Sequence, residues 1–402
     1  MEPDKIKINN PKSPQLVPPN PPLGIPGWLK KNLFSSWINT LLTIVFGTII
    51  YVVLKSSIEW IFFAADWQVI SANFKLLIVG QYPNAELWRI WICLTLASIL
   101  MGLSWGLWKG TMAHLSIAVT GMYIILGSLP FVIMETRIWL LINIAVIVAA
   151  YLVGKKCPKL KKSTLVGWFL ILPVIIFLLN GFGVFNHVQS NLWGGFLLTL
   201  LIAIVAITFS FPLGVLLALG RRSKLPIIRW FSIGYIELIR GVPLITILFV
   251  AQLMLPLFMG NDIKIDNVVR AMVGFTLFTA AYLAENIRGG LQSIPRGQFE
   301  AAEALGLNAT VKMTFIILPQ ALRAVIPAMV GQFIGIFKDT SLVAIVGLTD
   351  LLGMGKNIIS NPEFLGTQME VFIFVALVFL IFCNMMSYAS RRLERSLGVG
   401  KR

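Results

Sequence analysis

Residues 300–320 read EAAEALGLNATVKMTFIILPQ, with regularly spaced residues at both ends of the stretch. The spaced residues are Glu300, Ala301, Ala302, Gly306, Ile316, Leu318 and Pro319. Pro295 suits the first turn of a helix, Gly306 can take the left-handed conformation that ends it, and Asn308 can cap the next helix. The pattern predicts two short helices that meet at a bend.

The bend offers a small surface to another protein. Ala301 and Ala302 present a low profile that can enter a groove, and Glu300 offers a carboxylate to a basic partner. The residues alone leave an alternative open, which is a solvated amphipathic loop between two membrane spans.

Composition places the chain in a membrane. Of its 402 residues, 57 % are hydrophobic and 12 % are charged, and the mean hydropathy is +0.84. A membrane span needs about 20 apolar residues, and the long apolar runs here are continuous and do not alternate with polar residues, which favours helices over a barrel. We therefore predict an all-α integral membrane protein.

Ten spans fit the apolar runs. They are predicted at 34–54, 88–108, 115–134, 137–154, 165–185, 193–219, 231–258, 268–287, 324–347 and 371–389. The net charge of +16 comes from short basic clusters beside these runs, which orients spans and argues against nucleic-acid binding. If the basic clusters 155–162 and 221–229 lie on the cytoplasmic side, both termini also lie in the cytoplasm. We therefore predict a multi-pass inner-membrane protein with this topology.

The chain divides into three predicted parts. Residues 1–30 form a proline-rich disordered cytoplasmic tail, residues 31–190 form an accessory transmembrane bundle, and residues 191–402 carry the motifs. The docking stretch lies within a cytoplasmic loop at 291–322.

Charged residues inside spans are costly, at about 2.5–3.5 kcal/mol or more for an unpaired charge at the bilayer centre. They must pair or face a cavity. Glu237 and Arg240 are three residues apart on one helix face and can form a local bridge, and Lys338 and Asp339 can form an adjacent ion pair. Structural roles and substrate contact remain equally open for these charges.

Proline weakens one of these spans. Pro243 cannot donate a backbone hydrogen bond, which frees the carbonyl of Ile239 beside Arg240. Broken helices are tolerated at membrane depth where they line a polar cavity. The predicted substrate path is Glu237, Arg240, Gly241, Pro243, Glu285, Lys338, Asp339 and Thr340.

The sequence lacks the motifs that ATP binding, metal binding and common enzyme mechanisms require. No stretch fits the phosphate loop, since 353–357 lacks both the first glycine spacing and the hydroxyl for Mg²⁺. His114 and His187 are isolated, and the three cysteines show no ligand spacing. We therefore predict no catalytic residue, no metal site and no cofactor bound by this chain, which makes an enzyme a poor interpretation.

The spaced residues resemble the signature of permease subunits in binding-protein-dependent ABC importers, where this loop docks on an ATPase. Stretches similar to the polar amino-acid branch of that family are GGFLLTLLIAIVAITFSFPLGVLLALGRRS from Gly194, ELIRGVPLITILF from Glu237, AYLAENIRGGLQSIPRGQFEAAEALG from Ala281 and FKDTSLVAIVG from Phe337. The resemblance covers about 193–395, and the N-terminal addition is similar to that of the general L-amino-acid branch. Val242 departs from the family, in which many members have threonine.

The resemblance implies a type I permease fold in the C-terminal half and transport of amino acids. It also implies the partners, which are two ATPase subunits that bind ATP and Mg²⁺, a homologous or identical permease, an extracytoplasmic amino-acid-binding protein and membrane lipid. An ion-coupled secondary transporter is the main alternative, although the chain shows no internal repeat. A scaffolding membrane protein is the second alternative.

Overall fold

The computed structural model describes residues 24–108, 110–259 and 265–398, which are helical apart from short connections. In the first part of the chain the α-helices are α1 Ile25–Asn32, α2 Trp37–Glu59, α3 Gln68–Ala72, α4 Phe74–Val79, α5 Leu87–Trp108, α6 Thr111–Ser128, α7 Met134–Lys156, α8 Lys161–Asn180 and α9 Gly195–Arg221. They are followed by α10 Pro226–Arg240, α11 Leu244–Phe249, α12 Leu255–Met259, α13 Asn267–Ser293, α14 Arg296–Ala304, α15 Ala309–Val311, α16 Leu318–Asp339, α17 Leu351–Ile359 and α18 Gln368–Leu397. The all-helical prediction is confirmed.

Within the described residues, nine helical runs are long and apolar enough to span a bilayer, and one bent pair makes a tenth if it counts as one span. The nine runs are Trp37–Ala64, Asn84–Trp108, Thr111–Ser128, Met134–Lys156, Pro158–Asn180, Gly195–Arg221, Asn267–Ser293, Ala309–Val346 and Gln368–Leu397. Each overlaps one predicted span. The predicted number therefore agrees with the structure.

The predicted span 231–258 is not one straight helix. Helix α10 ends at Arg240 and α11 begins at Leu244, and the chain direction bends by 106° between the two helical segments. Pro243 precedes α11 and has no N–H to donate, so the break occurs where the sequence predicts weakness. The carbonyl of Ile239 is not free as expected, because the N–H of Val242 donates to it at 3.5 Å.

The compact units of the structure divide at a different place from the predicted domains. One unit ends at Ala65 and the other begins at Asp66, so residues 66–190 share a unit with the motif-bearing part. In the first unit, α1 covers part of the predicted disordered tail. Pro26 lies in the first turn of α1, a position that favours helix formation, and the rest of the predicted tail, 1–23, lies outside the described residues.

Helix α13 is the central helix of the second unit. It packs along α9, α10 and α16, and Phe275, Leu283 and Ile287 on it are fully buried. Gly290 lies close to α16, where an added Cβ would come within 2.6 Å of the Ala321 carbonyl oxygen. The core of the motif-bearing part is therefore built around α13.

The segment 66–83 is packed tightly against the start of α9. A Cβ added to Gly80 would lie 2.5 Å from the Cα of Gly194, and one added to Gly195 would lie 2.4 Å from the Leu77 carbonyl oxygen. Gly80 and Gly195 also have positive φ angles of 66° and 60°. Only glycine fits both the conformation and the space at these two positions.

Candidate functional site

The docking stretch forms the predicted bend. Helix α14 is followed by Gly306 at φ +73°, where the N–H of Leu307 donates to the Ala302 carbonyl oxygen at 3.2 Å. The Asn308 side chain accepts from the N–H of Val311 at 2.8 Å and caps the next helical segment. Both local features were predicted from the sequence.

The second helix is longer than predicted. Residues Ala309–Val346 form one helical run that enters the membrane. Lys312–Ile317 forms a π-helical turn just before Pro319, and Pro319 cannot donate the hydrogen bond that a regular helix requires there. The docking bend is therefore joined directly to a membrane span.

The exposed face of the bend differs from the predicted one. Ala302 is 2 % exposed and cannot enter a partner's groove, whereas Glu300 and Ala301 are exposed. Leu305 and Phe315 are 76 % and 77 % exposed and were not predicted, because their exposure depends on which face of each helix meets the core. Of the remaining motif residues, Ile316 and Leu318 are half-buried and Pro319 is exposed.

An ion pair fixes the angle of the bend. Lys312 Nζ contacts Glu303 Oε1 across it, and the hydrogen bond from Lys312 holds the pKa of the Glu303 carboxyl below its ordinary value. At the base of the bend, the Arg222 guanidinium lies 5.8 Å from the centre of the Phe299 ring. The end of α9 therefore contacts α14.

A charged cluster lies where α9, α10 and α13 meet, and Glu285 is its centre. Glu285 lies 3.7 Å from Arg240, 3.5 Å from Arg221 and in direct contact with Arg288. Arg221 also lies 2.9 Å from Glu237. The Glu285 carboxylate is therefore shared by three guanidinium groups. We call these four residues and Glu237 the Glu285 cluster.

The Glu285 cluster joins three of the predicted path residues, Glu237, Arg240 and Glu285, through a residue that was not predicted. Arg221 pairs with both acids, and the expected local bridge between Glu237 and Arg240 is not among the ion pairs of the described residues. Arg288 is three residues after Glu285, which is a spacing that sequence analysis could have found. Gly241 and Pro243 lie at the break that follows α10.

The other three predicted path residues lie at the end of α16. Lys338 is exposed and Asp339 is half-buried, and in the described part of the chain no ion pair joins them. Thr340 is fully buried, and its hydroxyl donates to the Phe337 carbonyl oxygen at 2.8 Å. No hydrogen bond or ion pair within the described residues links these three to the Glu285 cluster, so a shared cavity stays a prediction.

A second ionic cluster lies at the other end of the spans, where α5 begins. Arg89 is 1 % exposed and lies 2.7 Å from Glu86. It donates to the Asn186 carbonyl oxygen at 2.9 Å, and the Asn186 amide donates to Glu86 at 2.7 Å. The Arg89 guanidinium lies 5.3 Å from the centre of the Phe185 ring. This Arg89 cluster lines an open cavity of about 520 Å³.

One acid near this end has no cation in contact. Asp350 is fully buried and caps α17 by accepting from the N–H groups of Gly353 at 2.9 Å and Leu352 at 3.3 Å. Burial raises the pKa of Asp350 to about 6, and the backbone hydrogen bonds partly oppose that rise.

Comparison with known proteins gives one consistent result. A profile of the family described as binding-protein-dependent transport system inner membrane component matches residues 210–399. The chain is 38 % identical over 391 residues to the inner membrane amino-acid ABC transporter permease protein YhdY of Escherichia coli (strain K12), which covers 93 % of each chain. It is 37 % identical to the glutamate/glutamine/aspartate/asparagine transport system permease protein BztC of Rhodobacter capsulatus, covering 92 % of this chain and 93 % of that protein.

Shorter relatives match about half of the chain. The probable glutamine ABC transporter permease protein GlnP of Bacillus subtilis is 38 % identical over 204 residues, covering 50 % of this chain and 92 % of that protein. A solved structure of an amino acid ABC transporter with histidines is 29 % identical, with a TM-score of 0.46, and covers 50 % of this chain and 92 % of that one. The chain belongs to the inner-membrane permease family of binding-protein-dependent amino-acid ABC transporters.

Proposed function

We propose that the bend at 296–317 docks on a separate ATPase and that the Glu285 cluster contacts the transported amino acid. The observation that carries the first part is the direct connection of an exposed bend to the membrane span Ala309–Val346. A push on the bend moves that whole helical run because no loop intervenes. The family assignment argues against the alternative, which is an ion-coupled secondary transporter.

The docking surface is small and mixed in character. Glu300 and Ala301 are exposed on α14, and Leu305 and Phe315 are large apolar side chains open to a partner. Exposed apolar side chains beside a carboxylate suit a groove that has an apolar floor and a basic rim. The ATPase binds ATP and Mg²⁺, and this chain supplies the contact that transmits the motion.

The angle between the bend and the span is held on two sides. The Lys312–Glu303 pair and the Leu307 hydrogen bond join α14 to the following helix, and the Arg222–Phe299 contact joins α14 to the end of α9. Docking therefore moves α9 and α16 together. ATP-driven approach of two ATPases would draw two such bends together and open the permease pair outward.

The Glu285 cluster offers groups of both charges to a zwitterion. Arg240 Nε is buried and has no hydrogen-bond partner within the described residues, so the guanidinium keeps a donor for a substrate carboxylate. Glu285 offers a carboxylate to the substrate ammonium. An entering amino acid would exchange its own charges for part of the cluster, which favours polar amino acids such as those in the name of BztC.

The remaining partners follow from this arrangement. We propose a second permease, identical or homologous, and an extracytoplasmic binding protein at the end that carries α17. The basic clusters 155–162 and 221–229 support the proposal that both termini are cytoplasmic. The chain hydrolyses no ATP by itself, since its sequence has no phosphate loop.

The test is co-purification with the ATPase, followed by amino-acid uptake in reconstituted vesicles. Ala301→Trp is expected to abolish both co-purification and uptake, because a large side chain blocks the docking surface. Ser360→Trp places the same side chain at an exposed position after α17 and serves as the control for co-purification with the ATPase, which it should leave unchanged. Unchanged co-purification of the Ala301 variant, or ATP hydrolysis by the purified chain alone, would contradict the proposal.

A further inference from the structure

Helix α10 has a buried face, an exposed apolar face and a group of basic residues at its start. One face is buried, because Ser232 and Ile236 are 3 % and 0 % exposed. Ser232 lies against Gly220 of α9, where an added Cβ would come within 2.3 Å of the Ser232 hydroxyl. Ile236 packs with Ala284 and Ile287 of α13. This face fixes α10 against the ends of two membrane spans.

The opposite face is apolar and exposed. Ile227, Phe231 and Leu238 are 84 %, 69 % and 67 % exposed, and Gly234 between them has no atom within 4 Å of a Cβ that would be added. Their spacing of four, three and four residues places them on one side of a helix. Trp230 next to this side is 74 % exposed. Nothing in the described chain covers this apolar face.

A basic group stands at the start of the same helix. Arg222 and Lys224 precede α10, Arg229 lies in its first turn, and all three are exposed. None of them forms an ion pair within the described residues.

We propose that α10 and the turn before it form a binding site for an anionic phospholipid. The headgroup contacts Arg222, Lys224 and Arg229, and the acyl chains lie along Ile227, Phe231 and Leu238. Amphipathic helices with basic and aromatic residues bind at the membrane interface in this way, and clusters of cations attract anionic lipids. The site requires only that the chain lies in a membrane, and it shares Arg222 with the proposed docking contact to Phe299.

Charge decides between a lipid and a second protein copy. The surface holds three unpaired cations, whereas its one acid, Glu237, already contacts Arg221. A second copy would bring the same excess of positive charge and no acid to match it. The complement of this surface is negative at one end and apolar along its length, which is the chemistry of an anionic phospholipid.

The test is retention of lipid by the purified full-length chain in neutral detergent, measured by native mass spectrometry. Phosphatidylglycerol and phosphatidylcholine with the same acyl chains are the two probes. Three headgroup contacts predict roughly a hundredfold preference for phosphatidylglycerol in the natural chain. The triple variant Arg222→Gln, Lys224→Gln and Arg229→Gln is expected to lose most of that preference.

A matched triple variant controls for net charge. Lys156→Gln, Lys159→Gln and Lys161→Gln remove the same charge from another exposed basic cluster and are expected to leave the preference unchanged. Equal loss in both triple variants would overturn the site in favour of general attraction. Efficient disulfide formation between two copies of a Leu238→Cys variant that also carries Cys157→Ser and Cys383→Ser would assign the face to a protein partner and overturn it as well.

Discussion

The Arg89 cluster and the Glu285 cluster use the same residue types in opposite ways. In the Arg89 cluster one arginine and one glutamate are buried together, and neighbouring amide, carbonyl and ring groups contact them. In the Glu285 cluster one carboxylate is shared by three guanidinium groups that remain partly exposed. The first arrangement pairs one buried arginine with one acid, whereas the second is partly exposed and can release one partner and keep two.

This difference separates a structural role from a functional one. A buried pair of one acid and one arginine holds a loop against a helix. A shared carboxylate can accept a new cation, and the guanidinium that it releases can accept a new anion. The comparison therefore supports an anchoring role for the Arg89 cluster and the proposed amino-acid contact of the Glu285 cluster, and the following changes test that division.

The largest effect is expected at the Glu285 cluster. Arg240→Ala and Glu285→Ala should each reduce amino-acid uptake at least about tenfold or change its substrate range, since a substrate charge loses its partner. Assembly should persist, judged by co-purification with the ATPase. Arg288→Gln removes only a neighbour on the same helix and should cost less. Unchanged uptake of a full substrate panel by both alanine variants would make these charges structural.

The next largest effect is expected at the Arg89 cluster and concerns stability. Breaking a buried ion pair by removing one partner typically costs about 3–5 kcal/mol, so Arg89→Leu should strongly lower the melting temperature in detergent. Lys55→Gln is the control, because the Lys55–Glu59 pair is exposed, with 3.8 Å between its charged atoms, and such pairs contribute little. Equal melting temperatures for the two variants would remove the distinction between buried and exposed pairs.

A smaller effect is expected at the bend. Gly306→Val forces a β-branched residue into a positive φ angle, which costs about 1–2 kcal/mol, and should uncouple ATP hydrolysis from uptake while membrane insertion persists. No atom lies within 4 Å of a Cβ added at Gly306, so the effect is conformational and Gly306→Asn should restore much of the coupling. Gly121→Val, in α6 with equally open surroundings, is the control. Normal uptake by Gly306→Val would count against a coupling role for the bend.

The last prediction concerns a buried acid that forms no ion pair within the described residues. Because burial raises the pKa of Asp350 from 3.8 to about 6, the folded state binds its proton more readily than the unfolded state does. Stability should therefore rise as the pH falls through about 6 and should level off below about 4. Asp350→Asn retains a capping side chain and should flatten this dependence in thermal unfolding experiments.

Lys356 provides the second half of the pH experiment. Its charge lowers the pKa of Asp350, so Lys356→Gln should move the rise in stability to higher pH. An Asp350→Asn profile identical to that of the natural chain would show that another group titrates in this range.

Features set by neighbouring residues were predictable from the sequence. Gly306 and Asn308 end and begin their helices as expected, and Pro243 marks the break after α10. Features set by distant residues were not. The burial of Ala302 depends on how α14 lies on the core, and the contact of Arg221 with Glu285 joins two helices 64 positions apart in the chain. Helix α1 was missed because the prolines before it dominate the composition of the tail.

The close contact between Gly80 and Gly194 joins the predicted accessory bundle to the motif-bearing part of the chain. Relatives of about half this length exist, which suggests a chain extended by simple addition. Yet the backbones of segment 66–83 and of the start of α9 touch so closely that a Cβ at Gly80 would meet Gly194 and a Cβ at Gly195 would meet Leu77. The two parts are therefore packed within one compact unit, and we expect the C-terminal half of this chain, expressed by itself, to be a poor substitute for its short relatives.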